Sequence, residues 1–431
     1  MDKLIRFAFA LLSWAIILFA LATIGLRIGL SNIDTFKTEI EGWLAKDVIP
    51  GTSFAGLQGE WNQFNPVLRL NRVSITTPDK SQALVIDELV VEFDYFRSLW
   101  YWSPVVSDVT GALAKLSVKK DSEQRWWLND IPLSFTSSDQ TVSSFEELVA
   151  QMPYYIQLRL DQLEIDDQFS KRKYRITQVR ADLQQLEESI HLQLSAILPD
   201  ALGNRVNINS IFKQDNSVIY LKSDSLELSR IADLIGIDPG NLQSAELGGE
   251  VWINLLENRS PVLNGKISIS RGLWKTGPEN DPLPFALSAR VNASRIGNWW
   301  NLGGYIESLS FNNQALSGFN TQLRLISGND RSLVQGWLDD FELQNMVLLR
   351  QQFLPAEIGN LVQQSQLQGR IKDAWFSFDP ADIKNIELSA RIEDFSSLAV
   401  DAIPGVEKIN ASFTLGGKNA MLQLDAEQMA I

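Results

Sequence analysis

Three hydrophobic patterns follow one another along the chain. The first is a solid block. Phe7 to Leu26 is a run of 20 residues without a charge, and its only polar members are Ser13 and Thr23. At 1.5 Å per residue a helix of that length spans about 30 Å, the thickness of a bilayer core. The block predicts a transmembrane anchor over 7–26, carried by Phe7, Leu11, Trp14, Ile17, Leu21 and Leu26. Lys3 and Arg6 precede it, whereas Asp34, Glu39 and Glu41 follow soon after Arg27. That asymmetry predicts a cytoplasmic tail over 1–6 and export of the rest. The competing reading is a cleaved signal peptide, because Ala20-Leu21-Ala22 has the small-x-small pattern of a cleavage site. The apolar run continues past it through Ile24 and Leu26, which favours a retained anchor.

The second pattern has helical period. Ile33, Phe36, Ile40, Trp43 and Leu44 place an amphipathic helix within 31–48. Ser31 with Asp34 three residues later resembles a helix-start box. The acidic polar face favours a helix that caps the fold behind it over one drawn to lipid.

From about residue 50 the period becomes two. Ile156, Leu158 and Leu160 alternate with polar residues, as do Ile190, Leu192 and Leu194 around His191 and Gln193. Val251, Ile253 and Leu255, then Phe285, Leu287, Ala289 and Val291, repeat the pattern. Ile386, Leu388, Ala390 and Ile392 follow, and finally Leu422, Leu424 and Ala426. Strict alternation predicts strands with one apolar and one polar face. Roughly twenty such segments are separated by short turn signals such as Gly203-Asn204 and Gly416-Gly417, which predicts meandering antiparallel strands. Helical patterns are few: Ser143 to Met152, Ser229 to Gly236 and Phe353 to Gln363.

Twenty half-apolar strands at about 4.8 Å spacing make a sheet on the order of 100 Å wide. Three or four short helices cannot cover its apolar face. The face is therefore stacked on another sheet, closed into barrels, or left lining a groove. An exposed apolar surface of that size marks a ligand or membrane role. Tandem β-sandwiches remain the plainer alternative, although no Pro/Gly/Ser linker divides the body. Ser134 to Ser144, rich in Ser and Thr, reads as a loop or a soft boundary.

Composition narrows the chemistry. The chain has 431 residues, net charge −14, 45% apolar and 21% charged residues, no Cys and one His. The acidic balance argues against a nucleic-acid partner. Without Cys there are no disulfides, thiol nucleophiles or Cys-based metal sites, and His191 alone cannot form a paired-His site. No catalytic residue, metal ligand or cofactor motif stands out. Asp166-Asp167, Glu187-Glu188 and Asp339-Asp340 are acidic pairs, but neighbours in a strand point to opposite faces, so they read as solvated turn or edge residues. Trp100-Tyr101-Trp102 reads as a packed connector, with a membrane-interface belt as the alternative. Trp299-Trp300 reads as one ring on each face of the sheet or as a connector, and His191 falls on a polar face. Neither Gly248-Gly249 nor Gly303-Gly304 is followed by a helix pattern, so neither fits a phosphate loop.

One ordered block carries a family resemblance. Leu57-Gln58-Gly59-Glu60-Trp61 is followed by Phe64, Pro66 and Leu68-Arg69-Leu70. Then come Asp87 to Asp94, Ser98-Leu99-Trp100, Pro104-Val105-Val106, Ala114 to Val118, Asp121 to Arg125 and Trp126-Trp127-Leu128. With the preceding anchor, this order resembles the start of AsmA-like proteins, most closely the large YhdP type. Ile403-Pro404-Gly405-Val406 leading to Ser412-Phe413-Thr414-Leu415 extends the likeness, and Gln124 departs from the usual turn glycine.

The resemblance implies a mainly β protein of the Gram-negative inner membrane, single-pass, with its bulk in the periplasm. It implies an AsmA-like module over 53–133, a loop and short helix over 134–152, and an elongated, twisted antiparallel β-groove over 153–431. It also implies that the groove carries phospholipid between inner and outer membrane and so supports the outer-membrane barrier, with envelope proteins as partners at the far end. The expected lipid contacts are Ile156, Leu158, Leu160, Ile190, Leu192, Leu194, Val251, Ile253, Phe285, Leu287, Val291, Ile386, Leu388 and Ile392. No catalytic step is expected. A periplasmic scaffold or assembly factor for outer-membrane proteins is the alternative. YhdP-type proteins are much longer, so the chain is expected to be an N-terminal fragment.

Overall fold

The computed structural model describes Trp14, Ile17, Ala20, Leu21 and residues 23–43, then 51–76, 83–123, 125–128, 131–133, 149, 152–236, 238–256, 260–275, 281–297, 299–327, 332–347, 356–379, 382–400, 405–416 and 419–425. The chain divides into two compact units, Met1–Pro199 and Asp200–Ile431.

The first unit opens with helical backbone over 23–31 (α1), a 3₁₀ turn at Ile33–Phe36 and α2 (Lys37–Trp43). Strands β1 (Thr52–Asn62), β2 (Asn65–Thr76) and β3 (Ala83–Phe93) follow, then α3 (Tyr95–Tyr101) and β4 (Val106–Lys120). A small hairpin, β5 (Trp126–Leu128) and β6 (Ile131–Leu133), precedes β7 (Tyr155–Asp167), β8 (Arg172–Leu186) and β9 (Ser189–Ile197). All belong to one sheet, in which β1 pairs β2, β2 pairs β3, β3 pairs β4, β7 pairs β8 and β8 pairs β9, each antiparallel.

The exception corrects the expectation of purely antiparallel strands: β4 and β7 run parallel, from Asp108↔Tyr155 to Lys120↔Asp167. A parallel return needs a crossover of about a dozen residues or more, and the stretch 121–154 supplies it. The expected loop at Ser134–Ser144 lies in that stretch, outside the described residues, as does most of the expected helix from Ser143 to Met152.

The core of this unit sits at its start. Phe54, Leu57, Leu70 and Val73 are buried together, and Ile33 and Ile40 pack onto them. The amphipathic segment thus caps the sheet, as its acidic polar face suggested. Glu41 accepts the Phe54 N–H at 3.0 Å, and Lys37 donates to the Ala55 carbonyl at 2.7 Å. Ser31 does not start a helix, because α1 runs on through it and its hydroxyl donates back to the Arg27 carbonyl at 2.9 Å. Leu30 of α1 is buried over Gly59 of β1, in the space that a Cβ at 59 would occupy.

The second unit runs β10 (Arg205–Phe212), β11 (Asn216–Glu227), α4 (Leu228–Ile235), β12 (Leu242–Leu256), β13 (Val262–Trp274), β14 (Leu283–Ile296), β15 (Trp299–Phe311) and β16 (Gln314–Leu316). Then come β17 (Phe319–Ser327), β18 (Ser332–Asp339), β19 (Phe341–Glu342), α5 (Ala356–Ser365), β20 (Gln368–Asp379), β21 (Asp382–Ser397), β22 (Val406–Gly416) and β23 (Asn419–Asp425). The main strands pair antiparallel with their sequence neighbours, β16 and β19 being short side ribbons that β15–β17 and β18–β20 bypass. Among the described residues neither unit contains a second sheet; all the strands belong to one sheet, in which β1 and β23 each have a single partner strand, so it is open. The expected helices at Ser229–Gly236 and Phe353–Gln363 appear as α4 and α5; Gly236 ends α4 at φ 82°.

Bulges bend the strands. At Gln178, Asp373 and Asp394 the register shifts by a bulge at a non-glycine residue with φ between 51° and 52°. Such bulges add right-handed twist to the bulged strand.

Candidate functional site

Residues in register on adjacent strands share a face, so pairing assembles the alternating positions into rows. In the second unit one row is apolar without a break: Ile219, Ile253, Leu263, Ala293, Leu302, Leu323, Gly336, Phe376, Leu388, Leu415 and Ala420. Beside it runs Leu221, Val251, Gly265, Val291, Gly304, Thr321, Leu338 and Ala374. Leu247, Ile269, Leu287 and Leu309 begin a third.

The first unit has the same construction. One row is Leu57, Leu70, Leu89, Gly111, Leu158, Ala181 and Leu194; the next is Leu68, Val91, Val109, Ile156, Leu183 and Leu192. The parallel pairing of β4 with β7 keeps both rows in phase, because it joins Gly111 to Leu158 and Val109 to Ile156.

Burial shows how these rows are covered. Leu57 and Leu70 are buried where α2 and the 3₁₀ turn lie on them. Farther along the same row Leu158 is 43% exposed and Leu194 is half-buried. In the second unit Val251, Ile253, Leu287, Val291, Leu388 and Ile392 are all half-buried: they are flanked by neighbours in the sheet, and no second sheet is stacked over them among the described residues. The sandwich alternative, which would bury this face against a second sheet, does not describe either unit.

Of the expected contacts, Leu160 and Ile190 are buried, Ile156, Leu192 and Ile386 are half-buried, and Phe285 leans its ring over Gly272 on the neighbouring strand. The sequence reading missed Leu183, Leu302, Leu323 and Phe376. Each sits in an alternating stretch, but only its register partners make it part of a row.

The other face is polar and ordered by charge. Glu307 accepts the Ser288 hydroxyl at 3.0 Å and pairs with Arg290 at 3.2 Å and Lys266 at 3.5 Å. The Ser288 hydrogen bond and these two cations hold its carboxyl below the usual range, against the opposing effect of burial. His191 is on this kind of face too, 3.1 Å from the Ser189 hydroxyl. Trp299 and Trp300 stand in adjacent rows and so on opposite faces. Gly249 and Gly304 lie inside β12 and β15.

Two expectations are corrected. Asp167 is not a solvated turn residue: it is fully buried, and its carboxylate accepts from the Phe169 and Ser170 N–H groups and the Ser170 hydroxyl at 2.6–3.2 Å. Trp100 and Trp102 do not pack as a connector, being 80% and 89% exposed at the end of α3. The anchor residues Trp14, Ile17, Leu21 and Leu26 are helical and exposed, while Phe7 and Leu11 lie outside the described residues. Among the described residues no helix is long and apolar enough to cross a membrane, and no cluster of three or more His, Asp or Glu could hold a metal ion.

An open β-sheet whose apolar face, among the described residues, meets no second sheet defines an open-faced β-sheet protein. A family model described as YhdP protein matches residues 1–431, and the chain belongs to that family. No curated protein and no solved structure matches it.

Proposed function

We propose that the apolar face holds phospholipid acyl chains and that the protein carries lipid between the inner and outer membranes. The observation that carries this reading is the unbroken, largely half-buried apolar row from Ile219 to Leu415. Each CH₂ exposed to water costs about 0.8 kcal/mol, so an acyl chain of about sixteen carbons costs roughly 12 kcal/mol to expose. A continuous apolar row removes most of that cost while the head group stays wet. The contact is non-directional, which suits a chain that slides, and no catalytic step is required. Direction then comes from partners or gradients.

The start of the chain supports an inner-membrane anchor. The apolar helical residues lead into α1, and α1 lands on the apolar face at Gly59. Thr23 of α1 is hydrogen-bonded to Tyr95 of α3 at 2.9 Å, so the exposed Trp100 and Trp102 stand on an element tied to the anchor side. Trp at such a position suits a membrane–water interface. In this reading the bulk of the chain is periplasmic and its far partners are outer-membrane or envelope proteins.

Photo-crosslinking in cells tests the proposal. Probes at Leu158, Leu192, Leu287 or Leu388 are expected to label phospholipid, and one at the polar-face Gln193 is not. Equal labelling from both faces would sink it, and protein clients without lipid would favour an assembly role.

A further inference from the structure

The face opposite the apolar rows carries, in the second unit, an open depression of about 1120 Å³. Its lining contains the whole of one register row: Trp252, Asn264, Asn292, Gly303, Gln322 and Trp337. Five strand steps of about 4.8 Å put the two Trp backbones roughly 24 Å apart. Between them the amides of Asn264, Asn292 and Gln322 are exposed, and each offers both a donor and an acceptor. Gly303 keeps the floor low, since a Cβ there would come within 2.9 Å of Asn292 Oδ1.

The aromatic ends are braced. Trp252 packs on Tyr220, ring centres 5.1 Å apart, and the Tyr220 hydroxyl is fixed to Glu250 at 2.8 Å. The Arg324 guanidinium lies 5.0 Å from the centre of the Trp337 ring and donates to Asn301 at 2.8 Å. A merely solvated strand face would be expected to carry charged and small polar residues, not Trp with 38% of its surface in water. The cations beside the row, Lys266 and Arg290, are both engaged by Glu307, which disfavours a phosphate ligand and leaves the amides as the recognition groups.

We propose that this depression is a saccharide-binding cleft. Braced aromatic rings take the apolar C–H faces of sugar rings, and a ladder of exposed amides meets their hydroxyls in donor–acceptor pairs. The cleft takes a run of several sugar units laid across the strands. It is independent of lipid carriage, which uses the other face.

The test is isothermal titration of the purified full chain with chitotetraose and with maltotetraose. Saturable binding of at least one is expected. Asn292→Ala and Trp252→Ala are each expected to weaken it by about tenfold or more, and Trp252→Phe to retain most of it. Asn292 is exposed, so its variant keeps the test valid if Trp252→Ala fails to fold. Absence of binding to both oligosaccharides overturns the proposal, as does binding unchanged in Asn292→Ala. Binding of anionic vesicles through Lys266 and Arg290 without saccharide binding also overturns it. Lipid labelling from Leu287 is expected to be the same in Asn292→Ala as in the parent, so failure of the cleft and failure of the lipid reading are told apart.

Discussion

Gly336 on β18 stands in register with Phe376 on β20, and the Phe376 ring fills the space that a Cβ at 336 would occupy. Gly272 and Phe285 repeat the arrangement on β13 and β14. A large ring that leans over a neighbouring glycine covers exposed backbone and keeps a bulky side chain from standing up across the apolar face.

Gly336→Val is therefore expected to drive the Phe376 ring from its place and destabilise the second unit by about 1–3 kcal/mol. Phe376→Ala vacates that space, so adding it to Gly336→Val is expected to cost less than the sum of the two single changes. Urea unfolding followed by far-UV circular dichroism measures all three. Additive effects would mean that the ring and the glycine are not coupled.

A charge placed in the row separates folding from lipid contact. Leu302 is half-buried, and among the described residues no second sheet lies over it. Leu302→Glu is expected to cost the fold only about 1–2 kcal/mol, because the carboxylate can reach water. It is expected to remove most co-purified lipid, measured by native mass spectrometry. Thr414→Glu, exposed on the polar face, is the control and is expected to leave lipid unchanged. Lipid retained in Leu302→Glu would argue that acyl chains do not cross that row.

The faces of the sheet were legible in the sequence because strand period is two: Val251 with Ile253, or Leu388 with Ile392, share a face whatever their partners. The rows were not legible, because a row depends on register, and register depends on turns and bulges. Asp373 and Asp394 each shift the pairing without leaving any hydrophobic trace. The parallel junction of Val109 with Ile156 was hidden by its long crossover. Asp167 was misread because its neighbour in sequence, Asp166, is a surface residue paired with Lys173 at 3.3 Å. The polar-face cleft went unseen for the same reason as the rows, since its amides come from different strands.

Lys120 and Asp167 end the parallel pair in register, and both are buried, at 1% and 0% exposure. The Lys120 ammonium lies 5.7 Å from the Trp126 ring centre and 5.5 Å from that of Phe169. Asp167→Ala removes the acceptor of three hydrogen bonds at a fully buried site. The expected loss is about 1–3 kcal/mol in the first unit. Asp167→Asn keeps an acceptor oxygen in the same side-chain shape and is expected to cost less than Asp167→Ala. Chemical denaturation of the parent and the two variants is the measurement, and equal losses in Asp167→Ala and Asp167→Asn would show that these hydrogen bonds do not hold the turn.

Asp121 closes the turn between β4 and β5. Burial works against ionisation of its carboxyl, but hydrogen bonds from the Arg125 N–H at 2.9 Å, Trp127 Nε1–H at 3.1 Å, the Arg125 guanidinium at 2.8 Å and the Glu123 N–H at 2.9 Å outweigh it. Together they lower its pKa from 3.8 to about 2. A carboxyl depressed on folding adds stability that is complete above its unfolded pKa and is lost as pH falls through the folded one. The turn is thus expected to hold fully above about pH 5 and to loosen as the pH approaches 2. Asp121→Asn should weaken the parent's turn most at neutral pH and least near pH 2, so that the two converge in acid. Hydrogen exchange at the Trp127 amide, followed in both proteins across that range, reads the turn directly. A gap that stays constant with pH would show that the Asp121 charge does not hold the turn.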